Sequence, residues 1–453
     1  MSQRAVLATA ALGTMLMPLN STMIAVALPD IVDDLDVSLA STAWLVSGYL
    51  IAQAALQPLG GKLGDRLGRR PVLVVGLLAF ALASLGAALA PNLGLLIVFR
   101  ILQAVTGGLV FPNALALIRD VMPESRRGAS FGMLGAAIGF AAAVGPALGG
   151  ALLALGSWRA IFLVNLPWVA AAVVLALRSV PLHSAQSDRG RFDTVGAVVL
   201  TLLLGASAWL LNPGDAPAWS LVAAGVGIVS LAVAFIRYEL RQQDPLLEPR
   251  FLRVGPFAAA TASVGFSNLA LYGTLLAVPV MLAERPGWSE GEIGFATAAL
   301  PFPMFALAFA GGRLSDRMGR RFAAVTGLSL LTIALLPLAV AGRDVAAAIL
   351  IGSLLLAGAG LGLSNAAVQA AGVEALEARH AGVASGIFST GRYMGGIAAA
   401  SLVAGLITAG ARYGLLFSIE AAAALLSTLL ACGLPGRARS AAGEEPLARV
   451  SAT

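Results

Sequence analysis

The chain has 453 residues, of which 58% are hydrophobic and 11% charged, with a mean hydropathy of +0.88. A soluble domain is about a quarter charged, so a soluble core is excluded and an all-α polytopic membrane protein is implied. The net charge of +6 then reports membrane topology rather than nucleic-acid binding, and the single cysteine, Cys432, excludes an internal disulfide.

In chain order, apolar runs predict fourteen membrane helices. The first six lie near 5–28, 42–62, 71–90, 94–117, 129–154 and 160–179. The seventh and eighth lie near 194–212 and 218–237, and the last six near 256–282, 291–312, 322–341, 345–372, 382–409 and 412–433. A charged, glycine-rich decapeptide, Gly61 to Arg70, follows the second run and returns 251 residues later as Gly312 to Arg321, with seven of ten positions identical. Repeats outrank local readings. The chain therefore divides into a six-helix bundle (1–180), an inserted segment with two further helices (181–254), a second six-helix bundle (255–433) and a polar tail (434–453) expected to be disordered.

Twenty-three basic residues fall at one side of these spans, against Arg159, Arg285, Arg343 and Arg412 at the other. The positive-inside rule places both termini in the cytoplasm and the protein in the inner (plasma) membrane. The first outer loop carries Asp30, Asp33, Asp34 and Asp36 with no basic residue, which agrees.

The decapeptides contribute Gly61, Asp65, Arg66, Gly68 and Arg69, and then Gly312, Asp316, Arg317, Gly319 and Arg320. Glycines permit a tight turn, carboxylates accept from helix ends or arginines, and arginines meet lipid phosphates. A plain positive-inside loop needs the arginines but not this glycine and aspartate spacing twice. The stretch resembles the signature loop of the major facilitator superfamily, in which it locks the cytoplasmic gate while the transporter faces outward. Arg100 to Gly108 is similar to that family's arginine and glutamine motif, with Ala104 in place of a glycine. The resemblance implies a part for Arg100 in proton coupling; an arginine that only holds helices together is the alternative. Gly145, Pro146, Gly149 and Gly150 in the fifth run are similar to the family's antiporter motif, which implies export by exchange. With Leu19 to Pro29, Trp158 to Pro167, and Gly382 to Gly386 with Arg392, the chain resembles the fourteen-spanner drug:proton antiporters.

Asn20 departs from the many multidrug members with aspartate at this position. Asparagine is nearly isosteric but carries no charge and no titratable proton. The expectation is that the natural substrate is not an obligate cation, and that Asn20→Asp increases cationic-dye efflux. Among ionisable groups in the spans, Arg392 and Glu420 lie at matching depths, ~15 and ~18 Å from the inner face, and are expected to pair or to relay protons. Asp30 is a further candidate acid, with an exposed loop carboxylate as its alternative. Gln53, Gln57, Asn113, Asn268, Tyr272, Asn365 and Gln369 are candidate cavity residues or interhelical hydrogen-bonding groups.

The resulting expectation is a proton-coupled antiporter exporting a hydrophobic or amphipathic small molecule by alternating access. Its partners are substrate, protons and lipids, and it is a monomer. A lipid or siderophore exporter, or an exchanger not driven by protons, is the alternative. No phosphate-binding loop, cofactor motif or metal-ligand cluster stands out, and His183 and His380 fall in loops. Clustered nucleophiles of an embedded enzyme are not seen either. Both gate loops are intact, which a membrane receptor need not keep.

Overall fold

Backbone groups in hydrocarbon have no water to bond, so apolar runs of this length close their hydrogen bonds internally as helices. The computed structural model describes residues 3–122, 124–180, 193–211, 217–242, 245, 248–376, 381–408, 410 and 412–436. The N-terminal half contains α1 (Gln3–Leu35), α2 (Leu39–Leu67), α3 (Arg69–Ala88), α4 (Leu93–Val121), α5 (Glu124–Ala154), α6 (Ala160–Leu163) and α7 (Asn165–Ser179). An added pair follows, α8 (Thr194–Leu211) and α9 (Ala218–Glu239). The C-terminal half contains α10 (Gly255–Ala283), α11 (Glu290–Ala298), α12 (Pro301–Met318), α13 (Arg320–Ala341), α14 (Ala347–Glu374), α15 (Ala381–Thr408) and α16 (Tyr413–Ala431).

The two halves repeat the same packing. In the first, α1 packs on α5, α2 and α3 on α4, and α7 on α1 and α3; in the second, α10 packs on α15, α12 and α13 on α14, and α16 on α10 and α13. The halves meet along α5 with α11 and α12, α2 with α15, and α1 with α10. The added helix α8 leans on α2 and α15, and α9 leans on α8. Only 6% of the apolar window of α9 is buried, so nearly its whole surface is left for lipid.

Twelve helices among the described residues are long and apolar enough to cross a membrane. The predicted seventh and thirteenth spans, α8 and α15, are helical but are not among the twelve. Three further boundaries differ from the sequence reading. The decapeptides are mostly helix rather than loop: α2 runs to Leu67 and α12 to Met318, and the chain turns only at Gly68 and Gly319, with φ of 91° and 96°. Such φ values strain any residue with a Cβ, which accounts for glycine at both equivalent places. The predicted sixth span breaks between α6 and α7 at Val164, beside the buried Asn165. The predicted tenth span breaks at Ala299 and Leu300, where Pro301 supplies no N–H and opens α12. Residues 181–192, the tail from 437 onward, His183 and His380 lie outside the described residues, as do the side chains of Asp65, Arg66 and 381–386.

Candidate transport site

Between the halves lies a cavity of about 1170 Å³. It is lined from mid-helix, at Thr22, Tyr272 and Leu300, to the decapeptide end, at Met133, Gly312 and Asp316. The opposite end is closed by glycines. A Cβ on Gly150 would lie 2.9 Å from Gly294 Cα, and one on Gly294 would lie 2.7 Å from the Pro146 carbonyl oxygen, so α5 and α11 touch backbone to backbone. On its other side α5 fits against α1: Gly145 faces Thr22, and a Cβ on Gly149 would lie 3.3 Å from Met23 Cα. The stretch Gly145, Pro146, Gly149 and Gly150 is therefore the contact surface of α5 with α1 and α11, on which the closed end depends.

The cavity wall is uneven. Its α5 side is Met133, Ala136, Ile138, Gly139 and Ala142, all apolar or glycine. Its polar groups come chiefly from the C-terminal half: Asn268 and Tyr272 on α10, Asn365 and Gln369 on α14, and Arg392 on α15. Of the seven candidate cavity residues, these four of α10 and α14 line it. The other three do not: Gln57 and Asn113 are used between helices, and Gln53 within α2. Gln53 donates to the Tyr49 hydroxyl at 3.2 Å, and Gln57 donates to the Tyr393 hydroxyl at 2.6 Å, joining α2 to α15. Asn113 donates to the Gly60 carbonyl at 2.7 Å.

Asn20 does not line the cavity either. It is 2% exposed and forms a reciprocal amide pair with Asn165. Asn20 Nδ2 donates to Asn165 Oδ1 at 2.8 Å, and Asn165 Nδ2 donates back at 3.1 Å. Asn165 also reaches Ser84 Oγ at 3.5 Å, Gln103 donates to that oxygen at 2.7 Å, and Arg100 donates to Gln103 at 3.0 Å. Arg100 is 1% exposed and lies over the Tyr49 ring at 4.2 Å. One polar chain thus ties α1, α7, α3, α4 and α2 inside the N-terminal half, and the cost of burying Arg100 is offset by amide, carbonyl and ring partners.

Arg392 and Glu420 are not paired. Their helices α15 and α16 each pack on α10, and the two side chains diverge: Arg392 faces the cavity, while Glu420 faces α10. Glu420 is fully buried and accepts from Thr274 Oγ1 at 2.6 Å, and its Oε1 sits against Gly273 without a hydrogen-bond partner. Depth along a helix is legible in a sequence, but the direction a side chain points depends on how the helix is rotated in the bundle.

The decapeptides brace their own halves. Arg69 pairs with Asp120 at the end of α4, at 3.1 Å. Its equivalent, Arg320, donates to Asp316 at 2.7 Å and to both oxygens of Glu374 at the end of α14, at 2.7 and 3.2 Å. Arg317 is exposed, and Gly61 and Gly312 have no close neighbour that bars a side chain. At the opposite end, Asp34 accepts from Trp158 at 3.0 Å and from Arg159 at 2.7 Å. Asp30 is half-buried near there, within electrostatic reach of Glu290 on α11. Asp120, Glu374, Asn165 and Gly294 were not singled out from the sequence; the 251-residue repeat, which nearly superposes Asp120 and Glu374, could have found the first two.

The pattern of the Major Facilitator Superfamily matches residues 10–241 and 257–451. An uncharacterized MFS-type transporter of Bacillus subtilis (strain 168), YvkA, is 36% identical over 429 residues, 93% of this chain and 94% of that protein. The tetracenomycin C resistance and export protein of Streptomyces glaucescens is 32% identical over 393 residues, 85% of this chain and 72% of its own. The crystal structure of a D-xylose-proton symporter superposes with a TM-score of 0.71 at 16% identity, covering 95% of this chain and 98% of that one, and so shares the fold. This chain belongs to the major facilitator superfamily of transporters.

Proposed function

We propose that the protein is a proton-coupled antiporter of the fourteen-spanner drug-export type, carrying a hydrophobic or amphipathic small molecule out of the cytoplasm by alternating access. The observation that carries this reading is the cavity: about 1170 Å³ between two repeats, extending to the decapeptide end and closed opposite by the α5–α11 glycine contact. A low-charge wall with a few amides suits a solute that is mostly apolar. The tetracenomycin C export relative supports export of a natural product or drug. The fourteen-span count adds α8 and α15, both helices packed on the bundles, to the twelve. Basic residues at the decapeptide end support a cytoplasmic location for that end and for both termini, in the inner membrane. On this assignment the cavity faces the cytoplasm, where an exporter loads.

For the proton site, Glu420 is the strongest candidate. It is fully buried, holds one bond to Thr274, and lies one helix behind the cavity wall, since Tyr272 of the same α10 stretch lines the cavity. A rotation of α10 would change the partners of the carboxyl group and the shape of the cavity together. Asn20 and Arg100 act in this reading as the internal brace of the N-terminal half. The test is accumulation of a panel of lipophilic antibiotics and dyes in cells that express the protein. Lower accumulation that an uncoupler abolishes is expected for at least one compound; accumulation unchanged for every compound refutes the reading.

A further inference from the structure

We infer that the exported solute is an amphipathic acid, whose anionic group docks on Arg392. The inference rests on the proposed export function and assigns the substrate class of the same cavity. Arg392 is half-buried in the cavity wall near mid-membrane. Among the described residues it makes no hydrogen bond or ion pair; its contact is with the Phe388 ring, 5.7 Å from the guanidinium carbon. A guanidinium carries five donors and stays charged, and keeping it at that depth without a partner is costly. Arg100, the other arginine deep in the spans, is met by Gln103 and the Tyr49 ring, whereas Arg392 is left facing the space a solute occupies.

The rest of the cavity carries no rival for the role. Its one described carboxylate, Asp316, sits at the decapeptide end and is bonded to Arg320 at 2.7 Å. Glu420, which would neutralise Arg392, is turned to Thr274 instead. The other cavity arginine, Arg313, stacks on Phe309 at 4.2 Å near the same end and adds to the positive field. A bound carboxylate would receive charge-assisted hydrogen bonds from Arg392. The apolar body would lie on the α5 and α12 wall, against Ile138, Met304 and Phe305. A lipophilic cation would meet repulsion there.

The test uses three probes of one shape and different charge: 1-naphthylacetate, its neutral amide 1-naphthylacetamide, and 1-naphthylethylammonium. Equilibrium binding is measured on the whole protein in phosphatidylcholine nanodiscs, for the wild type, Arg392→Gln and Arg392→Lys. The acid is expected to bind about 10- to 100-fold tighter than the amide, the factor that hydrogen bonds to a charged group supply. Arg392→Gln is expected to erase that preference, and Arg392→Lys to restore part of it. Equal affinity for acid and amide in the wild type, tightest binding of the ammonium, no binding of the acid, or a preference that survives Arg392→Gln overturns the inference. Displacement of the acid by added phosphatidylglycerol assigns the site to a lipid headgroup and also overturns it. Binding needs no gradient, so an acid preference without any driven flux would sink the export reading alone.

Discussion

The amide pair between α1 and α7 provides a quantitative test of how the N-terminal half is held. Asn20 and Asn165 exchange two hydrogen bonds, 2.8 and 3.1 Å, at sites 2% and 0% exposed. Interhelical hydrogen bonds in membrane proteins are worth about 0.6 kcal/mol on average and up to about 1.7, so two give a coupling of about 1–2 kcal/mol. Each single change, Asn20→Ala or Asn165→Ala, leaves a buried amide without its partner and is expected to cost about 1–3 kcal/mol. The double variant should cost less than the sum by the coupling term. Unfolding by SDS titration in mixed micelles, followed by tryptophan fluorescence, measures all three. Additivity within about 0.3 kcal/mol would show that the pair does not hold the helices together. The same geometry reverses one expectation drawn from the sequence. Asn20→Asp replaces a donor that faces both the Leu16 carbonyl and Asn165 Oδ1, so it should destabilise the bundle rather than open a cation site in the cavity.

Gly150→Val forces side-chain atoms into the Gly294 backbone and should shift the protein toward opening at the α5–α11 end, by about tenfold or more for an overpacking cost of ~1–3 kcal/mol. The readout is labelling of Ser21→Cys by an impermeant maleimide in a Cys432→Ser background; unchanged outside labelling would contradict the seal. Gly68→Ala and Gly319→Ala should each cost about 1–2 kcal/mol because of their positive φ, and Arg320→Ala less than about 1 kcal/mol because its acid partners are partly exposed. The reverse order in the same SDS titration would show that the ion pairs, not the turns, set the stability of this end. Glu420→Gln keeps an acceptor for Thr274 and should retain stability within about 1 kcal/mol while losing proton-driven flux. Full flux with a normal response to the gradient would remove Glu420 from the coupling path.

Much of the fold was legible because hydropathy and the repeated decapeptide report length and symmetry directly. Twelve of the predicted spans coincide with helices able to cross a membrane, and the two halves pack as repeats. The helix breaks at Val164 and Leu300 do not show in hydropathy, since both occur inside apolar runs; Pro301 is the sequence signal that marks the second. The site was legible in part. Asn268, Tyr272, Asn365 and Gln369 were picked by polarity and do line the cavity, and Arg392, expected beside Glu420, lines it too. Gln57 and Asn113 were picked by the same rule but bond neighbouring helices, Gln53 bonds Tyr49 of its own helix, and Asn20, singled out by its departure from the family's aspartate, bonds Asn165. Polarity marks a side chain that must be satisfied; which way it turns is decided by helix rotation, which the near-uniform apolar sequence of α4 and α10 does not encode. The seal was missed for a similar reason. Gly150 belonged to a recognised pattern, but its partner Gly294 is one small residue in a helix of nine.

The most direct measurement is simultaneous flux of solute and protons in proteoliposomes containing the purified protein. With 1-naphthylacetate at equal concentration on both sides and a pH-sensitive dye inside, an imposed pH gradient should drive the acid uphill while protons move the opposite way, and collapse of the gradient should stop both. Movement of the acid at equal rates with and without the gradient, or no movement in either, would contradict proton-coupled export.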